Sequence, residues 1–458
     1  MFEKVNIKED KELKIILIFL DIIILFVIPI FKQSCFQDIL FVIFSFITIF
    51  IVSPPKISSI ILISFIIRIV LVFVDIYFIP LPEAHAGSDV PMFESIAFKW
   101  SQMGLPWLLS HFISGSLMYS WIIGLIYSFI GRNLFIVQGI NALFSALIVL
   151  NVYLIGKELW SYKEAYLAAI ISSLFPTLVY FSAILLREIS VIWSFTLGVY
   201  FIVVWFKRMD LRSFIVGVVL FLLSLGFHTA MIYSLLVLII PVIILLISTV
   251  KNGYLKSLSK FLSEILVLLL AFIFIYKTSW GLEKIGGIIS NNTTPPTPPV
   301  SINRFKMILS TLINYLPNVE KIAARDRAAY LTALQIRGFL DFFWQTPIRV
   351  IFFLFSPFVW QVRIPLDLFG FFDSLLYIIM GLIILFSLRK IFKIGSALLV
   401  FFFLLVGVVL FASTTSNYGT ALRHRAKFSP LMIVLCVPFL SQYTRKLNRV
   451  LFWEKNEI

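Results

Sequence analysis

A polar stretch at residues 83–103 combines carboxylates with aromatic side chains, and it reads EAHAGSDVPMFESIAFKWSQM. Asp89 and Glu94 lie five residues apart in it, with Phe93 between them. A carboxylate can serve as the general base for an acceptor hydroxyl, or it can bind a divalent cation such as Mg²⁺ or Mn²⁺ that neutralises a phosphate. Asp89 could instead act only as the N-cap of a helix that begins near Pro91. The stretch is therefore the first candidate for chemistry, with Asp89 as the candidate base and metal ligand.

A second polar group is basic and lies near the other end of the chain, in the sequence SNYGTALRHRAKFSP. Its basic side chains are Arg423, His424, Arg425 and Lys427. An arginine fork matches phosphate oxygens with two parallel hydrogen bonds, so this group is a candidate site for a lipid phosphate. The alternative is an anchor that reaches toward lipid headgroups. Arg325 and Arg327 are weaker candidates for phosphate binding, because a surface helix would explain them equally well.

Long apolar runs separate these polar groups. Hydrophobic residues make up 60% of the 458 residues and charged residues 13%, and the mean hydropathy is +1.03. Such a composition is that of an integral membrane protein. The runs lack the two-residue alternation of a membrane β-barrel, so we predict an all-α protein that crosses the membrane many times.

About twelve runs approach the ~20-residue length of a transmembrane helix. They lie at 13–31, 36–53, 57–79, 134–156, 164–183, 189–206, 212–228, 230–250, 260–277, 372–389, 395–412 and 427–442. Lys and Arg in the short connections fall on one side of this arrangement, which the positive-inside rule makes the cytoplasm. We therefore expect an inner-membrane protein with both termini in the cytoplasm and no cleavable signal peptide.

The same pattern predicts five regions with different roles. They are N-terminal transmembrane helices at 1–79, an outer acidic loop with interfacial helices at 80–133, a transmembrane core at 134–277, a large outer loop with a proline-rich segment at 278–371, and C-terminal transmembrane helices with the basic group at 372–458. The apolar segment 106–131 is predicted to be interfacial or re-entrant, because counting it as a span would reverse the charge pattern of everything after it.

Polar residues inside the apolar runs need partners, because an isolated charge in hydrocarbon is unfavourable. Arg68 and Asp75 are seven residues apart on one predicted helix, and we expect them to pair. Gln138, Asn141 and Ser145 share one helix face. Their side chains are predicted to form hydrogen bonds between helices.

From about Gly87 to Trp205, the order of motifs resembles the membrane glycosyltransferases of the GT-C superfamily, relatives of the protein O-mannosyltransferases and the aminoarabinose transferases of lipid A. Those enzymes have an acidic residue in an outer loop followed by the pattern A-x-x-W-x-x-x-G, which GSDVPMFESIAFKWSQMG resembles. The segments QGINALF, YLIGKELW and AAIISSLFP are similar to the motifs that follow, and FSAILLREIS is similar to a later S-x-x-L-x-x-E. The resemblance implies a GT-C-like fold, Asp89 as the catalytic base, and Glu188 beside Arg187 as a second acidic position.

The chain departs from the family pattern at particular places. Gln138 stands where the family has an arginine, and His228 stands where family members often place another. The acidic loop follows the third apolar run rather than the first. His228 is therefore included among the candidate substrate-binding residues, although its side chain differs from the one the family pattern favours.

These observations predict a glycosyltransferase that uses a polyprenyl-(di)phosphate-linked saccharide on the outer face, in surface polysaccharide or glycolipid biosynthesis. Asp89 would deprotonate the hydroxyl of a glycan or lipid acceptor with support from Glu94, and Glu188 would orient the acceptor or Arg187. The basic group at 423–427 would hold the departing lipid phosphate.

Three alternatives remain open. The topology also resembles that of a Wzy-type polymerase of O-antigen or capsule repeat units. A flippase or other transporter of lipid-linked oligosaccharides is an alternative from a different class. A membrane assembly protein without catalysis is a third reading. The net charge of +15 is scattered between apolar runs, so membrane lipids rather than nucleic acid are the expected partners.

Overall fold

The computed structural model describes residues 7–31, 34–82, 89–113, 115–251, 255–277, 328–331, 334, 339–363 and 365–453. Within these ranges the protein is almost entirely helical, and the extended pairing consists of one isolated bridge between Ala329 and Asn417. The α-helices of this described part are α1 (Ile7–Val27), α2 (Ser34–Val52), α3 (Pro55–Tyr77), α4 (Asp89–Ser101), α5 (Leu105–Ser110), α6 (Met118–Ile130), α7 (Leu134–Leu159), α8 (Tyr162–Ser173), α9 (Pro176–Ser182), α10 (Glu188–Arg208), α11 (Leu211–Phe227), α12 (Tyr233–Lys251), α13 (Leu255–Lys277), α14 (Phe339–Phe355), α15 (Pro365–Ile391), α16 (Gly395–Thr414), α17 (Tyr418–Arg425) and α18 (Ser429–Trp453).

Among the described residues, six helices are long and apolar enough to cross a membrane, and they are α2, α3, α7, α10, α15 and α16. The pair α8 and α9, bent by 52° at a short break, is a seventh candidate. Further apolar helices of 10–17 residues occur, including α11 and the first part of α18. The predicted class, a helical multi-pass membrane protein, is confirmed, whereas the number of about twelve spans is not.

The chain forms two compact units. The first contains residues 1–154 and 165–193, and the second contains residues 155–164 and 194–458. The five functional regions drawn from the sequence remain a prediction. Of those regions, the segments 83–88 and 278–327 lie outside the described residues, and with them most of the predicted large outer loop.

In the first unit, a bend separates α8 from α9 at Pro176. Proline lacks an N–H group and disfavours the helical conformation of the residue before it, and Phe175 has the extended values φ −64° and ψ 118°. The break leaves the carbonyl of Ser173 at the end of α8, and Arg68 Nη1 donates a hydrogen bond to it at 2.8 Å. The buried Arg68 guanidinium therefore caps the broken helix, as a cation at a helix C-terminus does favourably.

The predicted pairing of Arg68 with Asp75 is wrong. Arg68 Nε donates to Ser145 Oγ at 2.8 Å, whereas Asp75 accepts hydrogen bonds from Gln138 Nε2 at 2.9 Å and from the backbone N–H of Leu81 at 2.6 Å. Two turns of helix separate the two charged residues by about 10.5 Å along the axis. Arg68 and Asp75 therefore each bind a side chain of α7. This confirms the prediction that the polar face of α7 forms hydrogen bonds between helices.

Aromatic rings form the core of the second unit. Phe195 lies 5.9 Å from both Phe221 and Tyr233, and Phe403 lies 5.3 Å from Phe221, measured between ring centres. Gly407 lets these rings reach α16, because a methyl group there would come within 2.7 Å of Tyr233. A small residue at this position thus allows close packing of helices, as is common in membranes.

Candidate functional site

The helix α4 begins at Asp89, within the outer acidic loop predicted at 80–133. Residues 83–88 and the side chain of Asp89 lie outside the described part of the chain. Residues four positions apart are neighbours on a helix surface, so Asp89 occupies the position one turn before Phe93. The contacts of Phe93 therefore identify the elements that surround this end of α4.

Phe93 is buried and contacts two other segments of the first unit. Its ring meets Tyr119 of α6 edge to face at 5.8 Å, and the guanidinium of Arg187 lies 5.6 Å from the ring centre. The backbone carbonyl of Phe93 accepts a hydrogen bond from Ser120 Oγ at 2.9 Å. The first turns of α4 are thereby held beside the residue that precedes α10.

Asn141 of α7 fixes the turn between α9 and α10. Its buried Nδ2 donates to the backbone carbonyls of Ile184 at 2.9 Å and Leu186 at 3.0 Å, and it also lies 2.9 Å from the Tyr119 hydroxyl. Satisfied buried hydrogen bonds of this kind specify one conformation. The turn leads directly into Glu188, the first residue of α10.

Glu188 is buried, with 2% of its surface exposed, and it interacts electrostatically with Tyr119. A carboxylate in the first turn of a helix is stabilised by the helix dipole. Arg187, partly buried, precedes it and covers Phe93. The structure thus brings Arg187 and Glu188 to the start of α4, the helix that carries Asp89.

Glu94 forms an ion pair that the sequence did not reveal. Arg132, in the turn between α6 and α7, donates from Nε to Oε1 and from Nη2 to Oε2, both at 2.8 Å. The same guanidinium lies 4.6 Å from the ring centre of Phe98. The hydrogen bonds that Arg132 donates to the Glu94 carboxylate raise the pKa of Arg132 above its ordinary value. Both oxygens of Glu94 are therefore used to tie α4 to this turn.

In the second unit, three of the predicted basic residues meet around Phe411. The ring of His424 lies 5.3 Å from that of His228, and the two lie 5.0 and 5.3 Å from the ring of Phe411. Lys427 is fully buried, with Nζ 5.5 Å from the centre of the same ring. His424 Nδ1 lies 3.3 Å from Thr415 Oγ1. We call His228, His424 and Lys427 the basic cluster.

Arg425 has a different environment from its neighbours in the sequence. It is fully buried, and Nη1 donates to the backbone carbonyls of Leu354 at 2.8 Å and Ser356 at 2.6 Å. Nε and Nη2 both contact Asp373 Oδ2, at 3.2 and 2.7 Å, and Nη2 also contacts Ser374 Oγ at 3.1 Å. Every nitrogen of the guanidinium is thus engaged inside the protein, so we assign Arg425 the structural role of joining α14, α15 and α17.

The structure gives less detail for the other predicted site residues. Arg423 lies on α17 and is partly buried, whereas Arg325 and Arg327 fall outside the described residues. Across the described ranges, no three His, Cys, Asp or Glu side chains come together as a metal ion would require. Metal binding by Asp89 therefore stays a prediction, and no catalytic step below is routed through a metal.

Comparison with known proteins gives one family match. Residues 114–277 match the family described as dolichyl-phosphate-mannose-protein mannosyltransferase. This segment contains Arg187 and Glu188 but begins after Asp89, and it is less than half of the chain. The resemblance to the protein O-mannosyltransferases, a class of membrane glycosyltransferases, is confirmed over that segment. No curated protein matches the chain.

Two solved structures resemble the protein at low sequence identity. The apo oligosaccharyltransferase of Archaeoglobus fulgidus has a TM-score of 0.46 and 12% identity, with 86% of this chain and 51% of the other covered. The oligosaccharyltransferase AglB of the same organism, in complex with an inhibitory peptide and a dolichol-phosphate, has a TM-score of 0.44 and 15% identity, with 87% and 51% covered. The chain thus spans about half the length of these proteins.

Proposed function

We propose that this protein is a membrane glycosyltransferase, which takes a saccharide from a polyprenyl phosphate or diphosphate and transfers it to a glycan or lipid acceptor. The observation that supports this most is the meeting of the start of α4 with Arg187 and Glu188. These two residues lie in the segment that matches a mannosyltransferase family. The proposed site thus combines an acidic helix end with a cation and a second carboxylate.

Asp89 acts as the general base in this proposal. Its carboxylate takes the proton of an acceptor hydroxyl while the hydroxyl oxygen forms a bond to the anomeric carbon. The bond between that carbon and the phosphate oxygen breaks, and its electron pair leaves with the polyprenyl phosphate. A single base acting opposite the leaving group inverts the configuration of the anomeric carbon.

Glu188 and Arg187 position the acceptor around this base. Glu188 lies at a helix N-terminus and is buried, so its carboxylate is held in place to accept hydrogen bonds from sugar hydroxyls. Arg187 rests on Phe93 and can donate from its partly exposed guanidinium. Glu94 supports Asp89 by holding α4 through its two hydrogen bonds with Arg132.

The basic cluster binds the lipid phosphate in this proposal. A buried cation attracts an anion more strongly than a cation in water does, and Lys427 of this cluster is fully buried. Arg423 lies one residue before His424 on α17 and contributes a fork of donors to the phosphate oxygens. The reaction takes place on the outer face of the inner membrane, in the assembly of a surface polysaccharide or glycolipid.

Glycan analysis of a deletion strain tests this function. The strain is complemented at matched expression with wild type, Asp89→Asn, Glu188→Gln or the control Lys99→Gln, which changes an exposed residue of α4. We expect the two acidic variants, but not the control, to lack a glycan product by gel and mass spectrometry. Loss of one sugar indicates a monosaccharide transferase, and collapse of a ladder to one repeat indicates a polymerase. Full rescue by both acidic variants would contradict the proposal.

A further inference from the structure

The second unit contains an apolar cavity of about 100 Å³ between α10, α12 and α16. All its lining residues are apolar, and they include Phe206, Ile240, Pro241, Gly395, Leu399 and Phe402. Its lining offers water almost no hydrogen-bond partner, so the cavity accepts apolar groups. Among hydrophobic helices, its natural occupant is therefore part of a hydrocarbon chain.

Sequence features explain why the helices leave this space. Gly395 begins α16, and a methyl group there would come within 3.2 Å of the Phe206 ring. Pro241 lies inside α12, where it removes a backbone hydrogen bond and promotes a kink. Ile240, beside it, lines the cavity while 44% of its surface remains exposed. The cavity is therefore reached from the exposed side of α12.

Basic residues lie close in sequence to Phe206 and Gly395, two residues that line the cavity. Lys207 and Arg208 follow Phe206 at the end of α10, with 39% and 59% of their side chains exposed. Lys393, also exposed, lies two residues before Gly395. Glu158 pairs with Lys207 at 2.9 Å and with Arg208 at 2.5 Å, so it offsets only part of this positive charge. An excess of positive charge thus adjoins an apolar cavity.

We propose that this cavity binds one acyl chain of an anionic glycerophospholipid, whose phosphate contacts Lys207, Arg208 and Lys393. Basic residues next to transmembrane helices attract anionic headgroups, and the cavity provides a place for the attached chain. The positive-inside pattern puts these lysines and arginines in the leaflet opposite the proposed chemistry. Phospholipid binding here involves none of the residues assigned to transfer.

Native mass spectrometry of the purified, delipidated protein tests this site. The protein is mixed with phosphatidylglycerol or with phosphatidylcholine of the same acyl chains. The excess positive charge should favour phosphatidylglycerol on the order of tenfold, because each nearby basic residue contributes about fivefold. Bound phosphatidylglycerol should also raise the melting temperature. Equal retention of the two lipids, or retention of neither, would overturn the proposal.

Matched variants locate the bound lipid. Ile240→Trp fills the cavity, whereas Ile243→Trp places the same side chain at a similarly exposed position of α12 that does not line it. We expect only Ile240→Trp to lose the lipid. The pair Lys207→Gln and Arg208→Gln should remove the preference for phosphatidylglycerol, while Lys14→Gln with Lys56→Gln should keep it. Lipid retention by Ile240→Trp, or displacement of the phosphatidylglycerol by equimolar polyprenyl phosphate, would contradict this assignment.

Discussion

Arg187 and Arg425 are both candidates for ligand binding on the basis of the sequence, yet their surroundings in the structure differ. Arg187 is partly buried, lies 5.6 Å from the centre of Phe93, and directly precedes a helix that begins with Glu188. Arg425 is fully buried and uses all its nitrogens on Asp373, Ser374 and two backbone carbonyls. Complete burial, together with partners inside the protein for every donor, identifies a structural arginine, whereas a partly exposed arginine is accessible to a ligand.

The largest effect on stability is expected at Arg425. Arg425→Met leaves the carboxylate of Asp373 buried without its cation, which costs about 3–5 kcal/mol. Thermal unfolding of the purified protein should therefore start at a much lower temperature. Arg425→Met combined with Asp373→Leu should recover part of the loss, because both buried charges are then removed. A melting temperature of the single variant equal to that of wild type would refute the structural role.

A functional effect with little change in stability is expected at Arg187. Arg187→Met keeps an apolar contact with Phe93 but removes the hydrogen bonds that we propose Arg187 donates to the acceptor. A hydrogen bond to a charged group contributes about 1.5–3 kcal/mol. Transfer activity should fall by about 10- to 100-fold. Activity and melting temperature are measured on the same preparation. A lower melting temperature with unchanged activity per folded molecule would mean that Arg187, like Arg425, has a structural role.

A smaller effect is expected at Glu94. Its partner Arg132 has half of its side chain exposed, so breaking their pair by Glu94→Gln should destabilise the protein by about 1 kcal/mol or less. Activity should fall less than in Asp89→Asn, because Glu94 acts by holding α4. Arg132→Gln should reproduce this loss if the pair is what matters. Complete inactivation by Glu94→Gln alone would instead make Glu94 a catalytic residue.

The helical membrane class follows from the sequence because apolar runs of sufficient length have one stable solution in lipid. The polar face formed by Gln138, Asn141 and Ser145 was also predictable, since its spacing on a helix is regular. Glu188 could be identified as a candidate site residue only from the order of the motifs around it. These features depend on local spacing, which a sequence displays directly.

Pairings between distant segments were not predictable in the same way. Glu94 and Arg132 are 38 residues apart, and nothing in the turn around Gly131 indicates which carboxylate its arginine meets. The pairing of Arg68 with Asp75 was mistaken because the break at Pro176 offers Arg68 a backbone carbonyl instead. Arg425 resembled its basic neighbours, and only the packing of three helices distinguishes it from them.

Asp89 is the proposed base in transfer from a polyprenyl-linked saccharide. This role is tested by measuring the binding of a polyprenyl-phosphate-linked saccharide and the release of polyprenyl phosphate with purified wild type and Asp89→Asn. We predict unchanged donor affinity and a rate of release lower by about 10²- to 10⁴-fold in the variant, the usual contribution of a general base. Release by Asp89→Asn at the wild-type rate would contradict the account.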